Sequence, residues 1–311
     1  MKSSELKNVT ILMSTYNGEK YLEQQLSSIV AQKSVNLDVK IRDDGSTDST
    51  IDIITKWSDK LRITYYVGEN IGSASSFLEL LYNVTPSKCG YYAFSDQDDY
   101  WLADKLSTAV DILEKYDDIP ALYYSNAKIV GKNLEEIDNP FKKSYHTDEF
   151  GSALVLPQAA GCTMVFNTRL LEIIQKYKPS NCYMHDIWVL NVCLAVGGRV
   201  IYDSVPHILY RQHESNVVSV LGKDKMSHVE LFSYRVRKFF DYRYKPSIVA
   251  SQLKKGYCDY IPSENMEIIN LLLDGDKSLL HKLQLITNRK IKTPYMVYNI
   301  RFIVQILLNE Q

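Results

Sequence analysis

The hydrophobic positions follow two different spacings in the first hundred residues of this 311-residue chain. Compact apolar runs rich in β-branched and aromatic residues occupy positions 9–13, 39–41, 63–67 and 91–94, which is typical of buried β-strands. Between these runs, large apolar residues recur every three to four positions, as on one face of a helix. Strands that alternate with helices over short connections predict an α/β fold with a mostly parallel, Rossmann-like sheet covered by helices.

The pattern changes in the second half of the chain. Four more strands are predicted, at positions 122–125, 128–130, 161–167 and 199–202. Beyond position 221 the spacing is helical and many residues are basic, without the alternation of a strand. The sequence therefore predicts a sheet domain over residues 1–221 and a helical, basic extension over residues 222–311.

A polar cluster follows each of the four early strands. The clusters are STYNG at positions 14–18, DDGS at 43–46, GENIG at 68–72 and SDQDD at 95–99. In open α/β sheets, ligands bind beyond the carboxyl ends of the strands. The clusters therefore mark the predicted binding site.

Three carboxylates stand close together in the last of these clusters, at Asp96, Asp98 and Asp99. On an extended segment, Asp96 and Asp98 point to the same side, where two like charges repel each other. Mg²⁺ and Mn²⁺ prefer oxygen ligands and often take carboxylates together with substrate phosphates. The cluster predicts a divalent metal site, and the alternative is a solvated acidic turn before the helix that begins near Ala103.

Four further residues each allow a functional interpretation. Asp43 belongs to an ordinary turn, or it binds a nucleobase or a ribose through its carboxylate. Asp186 stands at the start of the helix predicted over positions 185–196, where it is either a helix cap or a general base. Arg211 can bind a phosphate bidentately, and His213 is either a surface residue or a metal ligand.

The net charge of −1 combines an acidic body with a basic C-terminal part. From Lys223 onward there are 15 Lys and Arg against 9 Asp and Glu, a net charge of +6, so the first 222 residues carry −7. This distribution argues against a nucleic-acid partner. It favours a metal site in the body and an anionic surface near the tail.

The cysteines and the chain's N-terminal residues bear on location. Five cysteines without metal-type spacing predict reduced, mostly buried thiols of a cytosolic protein. The first eight residues are polar, which predicts no secretory leader. No run of about 20 apolar residues occurs, so no transmembrane helix is predicted.

The motifs resemble, in their order along the chain, those of the family 2 glycosyltransferases of the GT-A fold. The segments that carry this resemblance are VTILMSTYNGEKYLEQQLSSIVAQ, IRDDGSTDST, GENIGSASSF and FSDQDDYWLADKL. The later segments AAGCTMVFNTRLL, MHDIWVLNVCLAVGG and YRQHESNVV resemble the rhamnosyltransferase branch. The similarity covers about residues 8–220 and implies a GT-A domain that binds a nucleotide-diphosphate sugar.

The resemblance implies a donor nucleotide site built from several strand ends. Thr15 and Tyr16 would flank the nucleobase, and Asp43 would bind its edge. Asp96 would face the ribose or the metal. Family members often carry an arginine shortly after the Asn-x-Gly segment, and this chain lacks it. Arg211 is therefore expected to contribute to diphosphate binding.

The resemblance also implies a metal and a sugar pocket. Asp98 would bind Mn²⁺ or Mg²⁺, with His213 as a further metal or diphosphate contact and Asp99 supporting the loop. Gly161 and Cys162 would line the sugar pocket without filling it.

Asp186 is the catalytic base that the resemblance implies, in the His-Asp pair typical of the rhamnosyltransferase branch. It would deprotonate an acceptor hydroxyl that attacks the anomeric carbon opposite the leaving nucleotide, and a single displacement inverts the anomeric configuration. The sequence offers no carboxylate for the nucleophile of a double displacement. The preferred donor is dTDP-L-rhamnose.

Three alternatives remain open. A UDP-hexose is a donor that the base pocket does not distinguish. A metal-dependent nucleotidyltransferase would ordinarily have a basic, glycine-rich first loop, which positions 14–18 lack. In a non-catalytic sugar-nucleotide-binding module, Asp186 would be a helix cap.

Basic and aromatic residues interleave at positions 235–245 of the C-terminal extension. Such a segment suits the headgroup region of an anionic membrane, where a glycan or lipid-linked saccharide acceptor would lie. The expected location is the cytoplasm, at the inner face of the plasma membrane, in the assembly of a bacterial-type surface polysaccharide. The alternative is a structural helical cap or a dimerisation arm.

Overall fold

The computed structural model describes residues 6–88, 90–137, 146–214, 244–275 and 277–308. Its strands are β1 (Lys7–Thr15), β2 (Val35–Asp43), β3 (Ile63–Val67), β4 (Gly90–Ser95), β5 (Tyr100–Trp101), β6 (Ala121–Val130), β7 (Val165–Asn167) and β8 (Arg199–Arg211). Its helices up to residue 214 are α1 (Leu22–Val30), α2 (Thr50–Trp57), α3 (Ser73–Asn83), α4 (Lys105–Leu113), α5 (Phe150–Val155), α6 (Thr168–Ile174) and α7 (His185–Ala195). The helices after residue 243 are α8 (Pro246–Tyr257), α9 (Ser263–Leu273), α10 (Leu279–Thr287) and α11 (Met296–Leu307).

The strands form one sheet in the order β3-β2-β1-β4-β7-β6-β8-β5. β1 pairs in parallel with β2 and β4, β2 with β3, and β6 with β8. β7 is antiparallel to β4 and β6, and β5 is antiparallel to β8. The predicted mostly parallel α/β sheet is thus confirmed, and the carboxyl ends of β1, β2 and β4 meet at one edge.

The sheet separates two hydrophobic clusters. Along β1, Leu12 belongs to one cluster and its neighbours Ile11 and Met13 belong to the other, because successive side chains of a strand point to opposite faces. β4 is buried at every position, as expected for a strand covered on both sides.

The C-terminal helices belong to the same core as one face of the sheet. Leu253 of α8, Ile269 of α9 and Phe302 of α11 are buried in the cluster that contains Leu12. The predicted helical extension is observed in its described residues, 244–275 and 277–308. The predicted boundary at residues 221 and 222 lies outside the described residues.

Several strand predictions need correction. The strands expected at 122–125 and 128–130 are one strand, β6, whose pairing with β8 shifts register on either side of Asn126. A bulge of this kind interrupts the hydrophobic alternation without ending the strand. The strand expected at 161–167 begins only at Val165, after a 3₁₀ turn over Gly161–Thr163. The strand expected at 199–202 continues to Arg211, and the two-residue β5 was not predicted.

Membrane-spanning helices are not found among the described residues: every helix there is too short or too polar to cross a bilayer.

Candidate active site at the carboxyl ends of the strands

A cleft of about 1090 Å³ opens at the sheet edge where β1 and β4 end. Seven of the ten predicted site residues line it, namely Tyr16, Asp96, Asp98, Gly161, Cys162, Asp186 and His213. The fold thus gathers residues from five separate parts of the chain around one space. Thr15, Asp43 and Arg211 do not line this cleft.

The loop after β1 is held by backbone hydrogen bonds to polar side chains. Gln97 joins it to the acidic loop after β4: the Tyr16 N–H donates to Gln97 Oε1 at 2.9 Å, and Gln97 Nε2 donates to the Tyr16 carbonyl at 2.9 Å. A Cβ at Gly18 would lie 2.3 Å from Gln97 Oε1, so a larger residue there would displace this amide from its hydrogen bonds. The ring of Tyr16 is 47% exposed at the cleft.

Asp43, predicted to bind the nucleobase, is fully buried at the end of β2. Its carboxylate accepts hydrogen bonds from Thr15 Oγ1 at 2.8 Å and from Ser46 Oγ at 2.6 Å. The Gly45 and Ser46 N–H groups donate to it at 3.1 and 2.7 Å. Thr15 and Asp43 therefore shape the first two loops, and a nucleobase contact by either residue stays a prediction.

Asp44, which sequence reasoning did not single out for a role, lines the cleft beside the loop after β3. It accepts the Ile71 and Gly72 N–H groups at 2.9 Å each and pairs with the Arg42 guanidinium. Arg42 also pairs with Glu79 of α3. Because Arg42 and Asp44 are buried, this ion pair fixes the 68–72 loop from inside the protein.

The acidic loop after β4 concentrates negative charge. Burial, and then the Asp98 and Asp186 carboxylates, raise the pKa of Asp96 to about 7. Burial, with Asp96 and Asp98, also raises the pKa of Asp99 well above its ordinary range. In the described part of the chain, Asp99 Oδ2 has no hydrogen-bond partner. The loop therefore has more carboxylate than its surroundings neutralise.

Asp98 and His213 meet at the cleft wall. His213 Nε2 lies 2.7 Å from Asp98 Oδ2, and the His213 ring lies against Tyr21, with centroids 4.9 Å apart and the ring planes tilted by 30°. An imidazole nitrogen and a carboxylate oxygen side by side are a donor set that suits Mn²⁺, and Mg²⁺ less well.

The residues fit a divalent cation at Asp98 and His213 better than at the neighbouring group of Asp96, Asp99 and Cys162. Ligand atoms of that second group lie within 4.8 Å of one another. However, burial raises the pKa of the Cys162 thiol well above its ordinary value, so the sulfur keeps its proton. A hard cation also prefers oxygen to sulfur.

Arg211, predicted to contribute to diphosphate binding, is hydrogen-bonded within the protein and does not line the cleft, and a diphosphate contact by it stays a prediction. Its Nε donates to the Asp98 carbonyl at 2.7 Å and its Nη2 to Gln24 Oε1 at 2.7 Å, while Nη1 donates to the Lys132 carbonyl. The side chain is buried, and the guanidinium lies 4.5 Å from the centre of the Tyr21 ring. Arg211 thus braces the loop that carries Asp98. The lysines that line the cleft are Lys20 and Lys132.

Asp186 is the second residue of α7 and reaches across to the 3₁₀ turn. Its Oδ2 accepts the Gly161 N–H at 3.0 Å, and its Oδ1 accepts the Ile187 N–H at 2.7 Å. A Cβ at Gly161 would lie 2.7 Å from His185 Nε2 and 3.3 Å from Asp186 Cβ. Glycine is therefore needed there for α7 to approach the turn, and Asp186 keeps lone pairs available toward the cleft.

His185 is buried beside Asp186, stacked on Phe77 with centroids 4.1 Å apart. Burial lowers its pKa, so the imidazole is neutral. The structure thus adds Gln97, Asp44, Tyr21, Lys20 and Lys132 to the predicted site. For Asp44 and Gln97 the signal in the sequence was their position within the polar clusters, whereas Lys20, Tyr21 and Lys132 lie outside those clusters.

Comparison with known proteins decides the class. The family model described as Glycosyl transferase family 2 matches residues 10–174, more than half of the chain. The chain is a family 2 glycosyltransferase. Among curated relatives, this glycosyltransferase is 30% identical to the dTDP-rhamnosyl transferase RfbG of Shigella flexneri over 79% of its own length and 89% of that protein. It is 31% identical to the abequosyltransferase RfbV of Salmonella typhimurium over 45% of its length and 42% of that protein.

Solved structures agree on the fold of this glycosyltransferase. S. aureus TarS 1-349 in complex with UDP-GlcNAc matches with a TM-score of 0.54 at 17% identity, over 98% of this chain and 92% of that chain. The fold is GT-A, as the sequence motifs implied. The enzyme class and the resemblance to the rhamnosyltransferase branch are confirmed.

Proposed function

We propose that this glycosyltransferase moves L-rhamnose from dTDP-L-rhamnose to a hydroxyl of a glycan or lipid-linked saccharide, with inversion, in the assembly of a bacterial-type surface polysaccharide. The observation that carries the proposal is the shared cleft. Asp186, the only sequence-predicted base, opens on the same space as the Asp98–His213 corner. A base and an anion-binding corner facing one cavity are the parts that glycosyl transfer needs.

Asp186 removes the proton from the acceptor hydroxyl. Its two N–H partners, from Gly161 and Ile187, hold the carboxylate in one orientation, and each oxygen keeps a lone pair for an acceptor hydroxyl in the cleft. The acceptor oxygen attacks the anomeric carbon while the bond to the nucleotide diphosphate breaks. Charge then moves from the sugar to the leaving diphosphate.

The diphosphate side is held by Asp98, His213 and the two cleft lysines. Asp98 and His213 would hold Mn²⁺ or Mg²⁺, and a cation bound there supplies Lewis-acid stabilisation of the leaving negative charge. Lys20 and Lys132 add positive charge along the same wall. Asp99 and Arg211 keep the loop in place, through the 3.2 Å bond from the Arg211 N–H to Asp99 Oδ1.

The test of the catalytic role is Asp186→Asn. We expect turnover to fall about 10²–10⁴-fold, the usual contribution of a general base, while donor affinity stays close to that of the wild type. The amide oxygen still accepts one of the two N–H groups, so the fold should hold. Asp52→Asn is the matched control, since Asp52 lies in the first turn of α2 and outside the cleft.

Turnover that stays normal in Asp186→Asn would show that this residue is a structural contact of α7, as in a non-catalytic sugar-nucleotide-binding module. A loss of donor affinity without a loss of turnover would also show that Asp186 is a structural contact and not the catalytic base.

The donor is tested by thermal shift with dTDP-L-rhamnose, UDP-glucose and GDP-mannose, each with and without Mn²⁺. The proposal rests on the similarity to a dTDP-rhamnosyl transferase over most of both chains. A ligand at 100 times its Kd stabilises a protein by about 2.7 kcal/mol, so the correct donor should give the largest shift. Greater stabilisation by a UDP-hexose would replace rhamnose as the donor.

A cytoplasmic location is part of the proposal. It is supported by the cysteines that the structure describes, since Cys162, Cys182, Cys193 and Cys258 are all free thiols. Free thiols are typical of proteins that work in a reducing compartment.

A further inference from the structure

Helices α10 and α11 leave an unusual amount of apolar surface exposed. Of the 18 large hydrophobic residues that are exposed among the described residues, eight lie between positions 279 and 308. They are Leu279, Leu280, Leu283, Met296, Val297, Ile300, Leu307 and Leu308. Single exposed hydrophobic residues are ordinary, but a concentration of this kind marks an interaction surface.

The exposed residues of α11 lie on one side of the helix. Met296, Ile300 and Leu307 are separated by four and seven positions, which places them on one face at 3.6 residues per turn. Phe302 and Ile306 are buried on the opposite side, in the core shared with the sheet. The helix is thus attached to the protein by one apolar face and presents a second apolar face to its surroundings.

The same segment is strongly basic. Residues 277–308 contain six Lys and Arg and no Asp or Glu, so most of the net +6 of the last 89 residues is located here. Arg289, Lys290 and Lys292 are exposed in the connection between α10 and α11, whereas Arg301 is buried. Of the basic and aromatic stretch at positions 235–245, which the sequence offered for membrane contact, positions 235–243 lie outside the described residues.

We propose that the surface formed by α10, α11 and their basic connection docks on an anionic lipid bilayer. The apolar side chains enter the headgroup region and the three exposed basic residues contact lipid phosphates. The helices have 9 and 12 residues, too few to span a bilayer, so this contact is an interfacial one.

Charge decides between a bilayer and a second copy of the chain as the occupant. A symmetric dimer through this surface would bring two basic segments together without an acidic residue from either copy of 277–308. Like charges at close range oppose that contact. An anionic bilayer instead satisfies the apolar face and the basic connection together.

The test is co-sedimentation of the full chain with vesicles, in the absence of sugar donor and acceptor. Vesicles of phosphatidylglycerol and phosphatidylcholine should pellet the protein at low salt and release it at high salt, because screening weakens the phosphate contacts. Pure phosphatidylcholine should pellet much less. Since no substrate is present, the outcome of this test does not depend on whether the proposed sugar transfer is correct.

Two triple variants separate the apolar and basic contributions. The basic variant carries Arg289→Gln, Lys290→Gln and Lys292→Gln. It should lower partitioning onto vesicles at low salt by about 100-fold, because each basic residue near the surface contributes about fivefold.

The apolar variant carries Met296→Gln, Val297→Gln and Ile300→Gln. It should lower partitioning onto vesicles by at least about tenfold at both salt concentrations.

Matched controls carry the same substitutions at exposed positions elsewhere. The basic control is Lys33→Gln, Lys88→Gln and Lys115→Gln, and the apolar control is Val30→Gln, Ile119→Gln and Val205→Gln. Both should bind vesicles like the wild type. All variants should keep the wild-type melting temperature, because none of these side chains is buried.

Two results would overturn the proposal. One is wild-type protein that stays in the supernatant with anionic vesicles at low salt, or triple variants that bind no worse than their controls. The other is a concentration-dependent dimer, measured by light scattering, that the α11 variant alone dissolves. That outcome would assign the surface to self-association.

Discussion

β2 and β4 lie on either side of β1, and neighbouring carboxylates stand at the end of each. The surroundings of these carboxylates differ between the two strands. At the end of β2, Asp43 accepts four hydrogen bonds and Asp44 is paired with Arg42 and two backbone N–H groups. At the end of β4, the pKa values of Asp96 and Asp99 are raised by burial and by the neighbouring carboxylates.

The difference distinguishes carboxylates that stabilise a loop from carboxylates that are left available for a ligand. A carboxylate surrounded by donors is stable as an anion and fixes the backbone around it. Carboxylates that repel one another are stable only when a proton or a cation neutralises them. The carboxylates after β4 are therefore suited to binding a divalent cation, whereas those at the end of β2 are already neutralised by their hydrogen bonds and by Arg42.

The largest expected effect is the loss of activity in Asp98→Ala. Removing this ligand should lower turnover by about 10³-fold or more, because the leaving charge loses stabilisation worth several kcal/mol. Stability should stay equal or rise, since Asp98, one of the carboxylates that raise the pKa of Asp96 and Asp99, is gone. Turnover with limiting Mn²⁺ and a thermal melt measure the two effects, with Asp59→Ala as an exposed control. Near-normal activity of Asp98→Ala would show that Asp98 is not a metal ligand.

The next effect, on stability, comes from Asp44→Asn. Breaking the buried pair with Arg42 should lower the free energy of unfolding by about 3 kcal/mol, although Glu79 still pairs with the arginine. The control is Asp38→Asn, which breaks the exposed pair with Arg62 and should cost less than about 1 kcal/mol. Urea denaturation measures both. Equal changes in the two variants would contradict a structural role that is specific to the β2 end.

The smallest expected effect is a pH dependence caused by Asp96. The pKa of Asp96 is about 7 in the folded protein, above its ordinary value, so the folded state keeps a proton that the unfolded chain has lost. Its stabilising contribution is complete below about pH 4 and is lost as the pH rises through about 7. With a chelator present, the melting temperature should fall by about 2–4 °C more than in Asp96→Asn over this range.

Saturating Mn²⁺ should reduce that fall, because a bound cation favours ionised carboxylates. Identical pH profiles for the wild type and Asp96→Asn would mean that Asp96 is not protonated in the folded protein.

The sequence was sufficient to predict the strand ends and the residue types that line the cleft. A buried apolar run followed by polar residues is a local signal, and it located β1 to β4 and their loops. The two-residue β5 lacks that signal, because its strand character comes from pairing with β8, more than a hundred positions away. The bulge near Asn126 likewise depends on the partner strand.

Side-chain partners were much harder to predict than positions. Arg211 is the last residue of β8 and lies beside the acidic loop, a position that suits a phosphate ligand as well as an internal brace. Only the fold shows that its hydrogen-bond acceptors are Gln24 and the carbonyls of Asp98 and Lys132. Gln97 received no role from the sequence, yet its amide joins two loops through bonds to Tyr16, 81 residues earlier.

The position of Arg211 also sets an order of assembly during synthesis. The guanidinium reaches back 113 residues to the Asp98 carbonyl and 187 residues to Gln24, so the ribosome makes both partners long before the arginine. The loops after β1, β2 and β3 are complete much earlier in translation. A nascent chain therefore lacks the brace and His213 until β8 has emerged, and the Asp98–His213 corner is finished after the rest of the cleft.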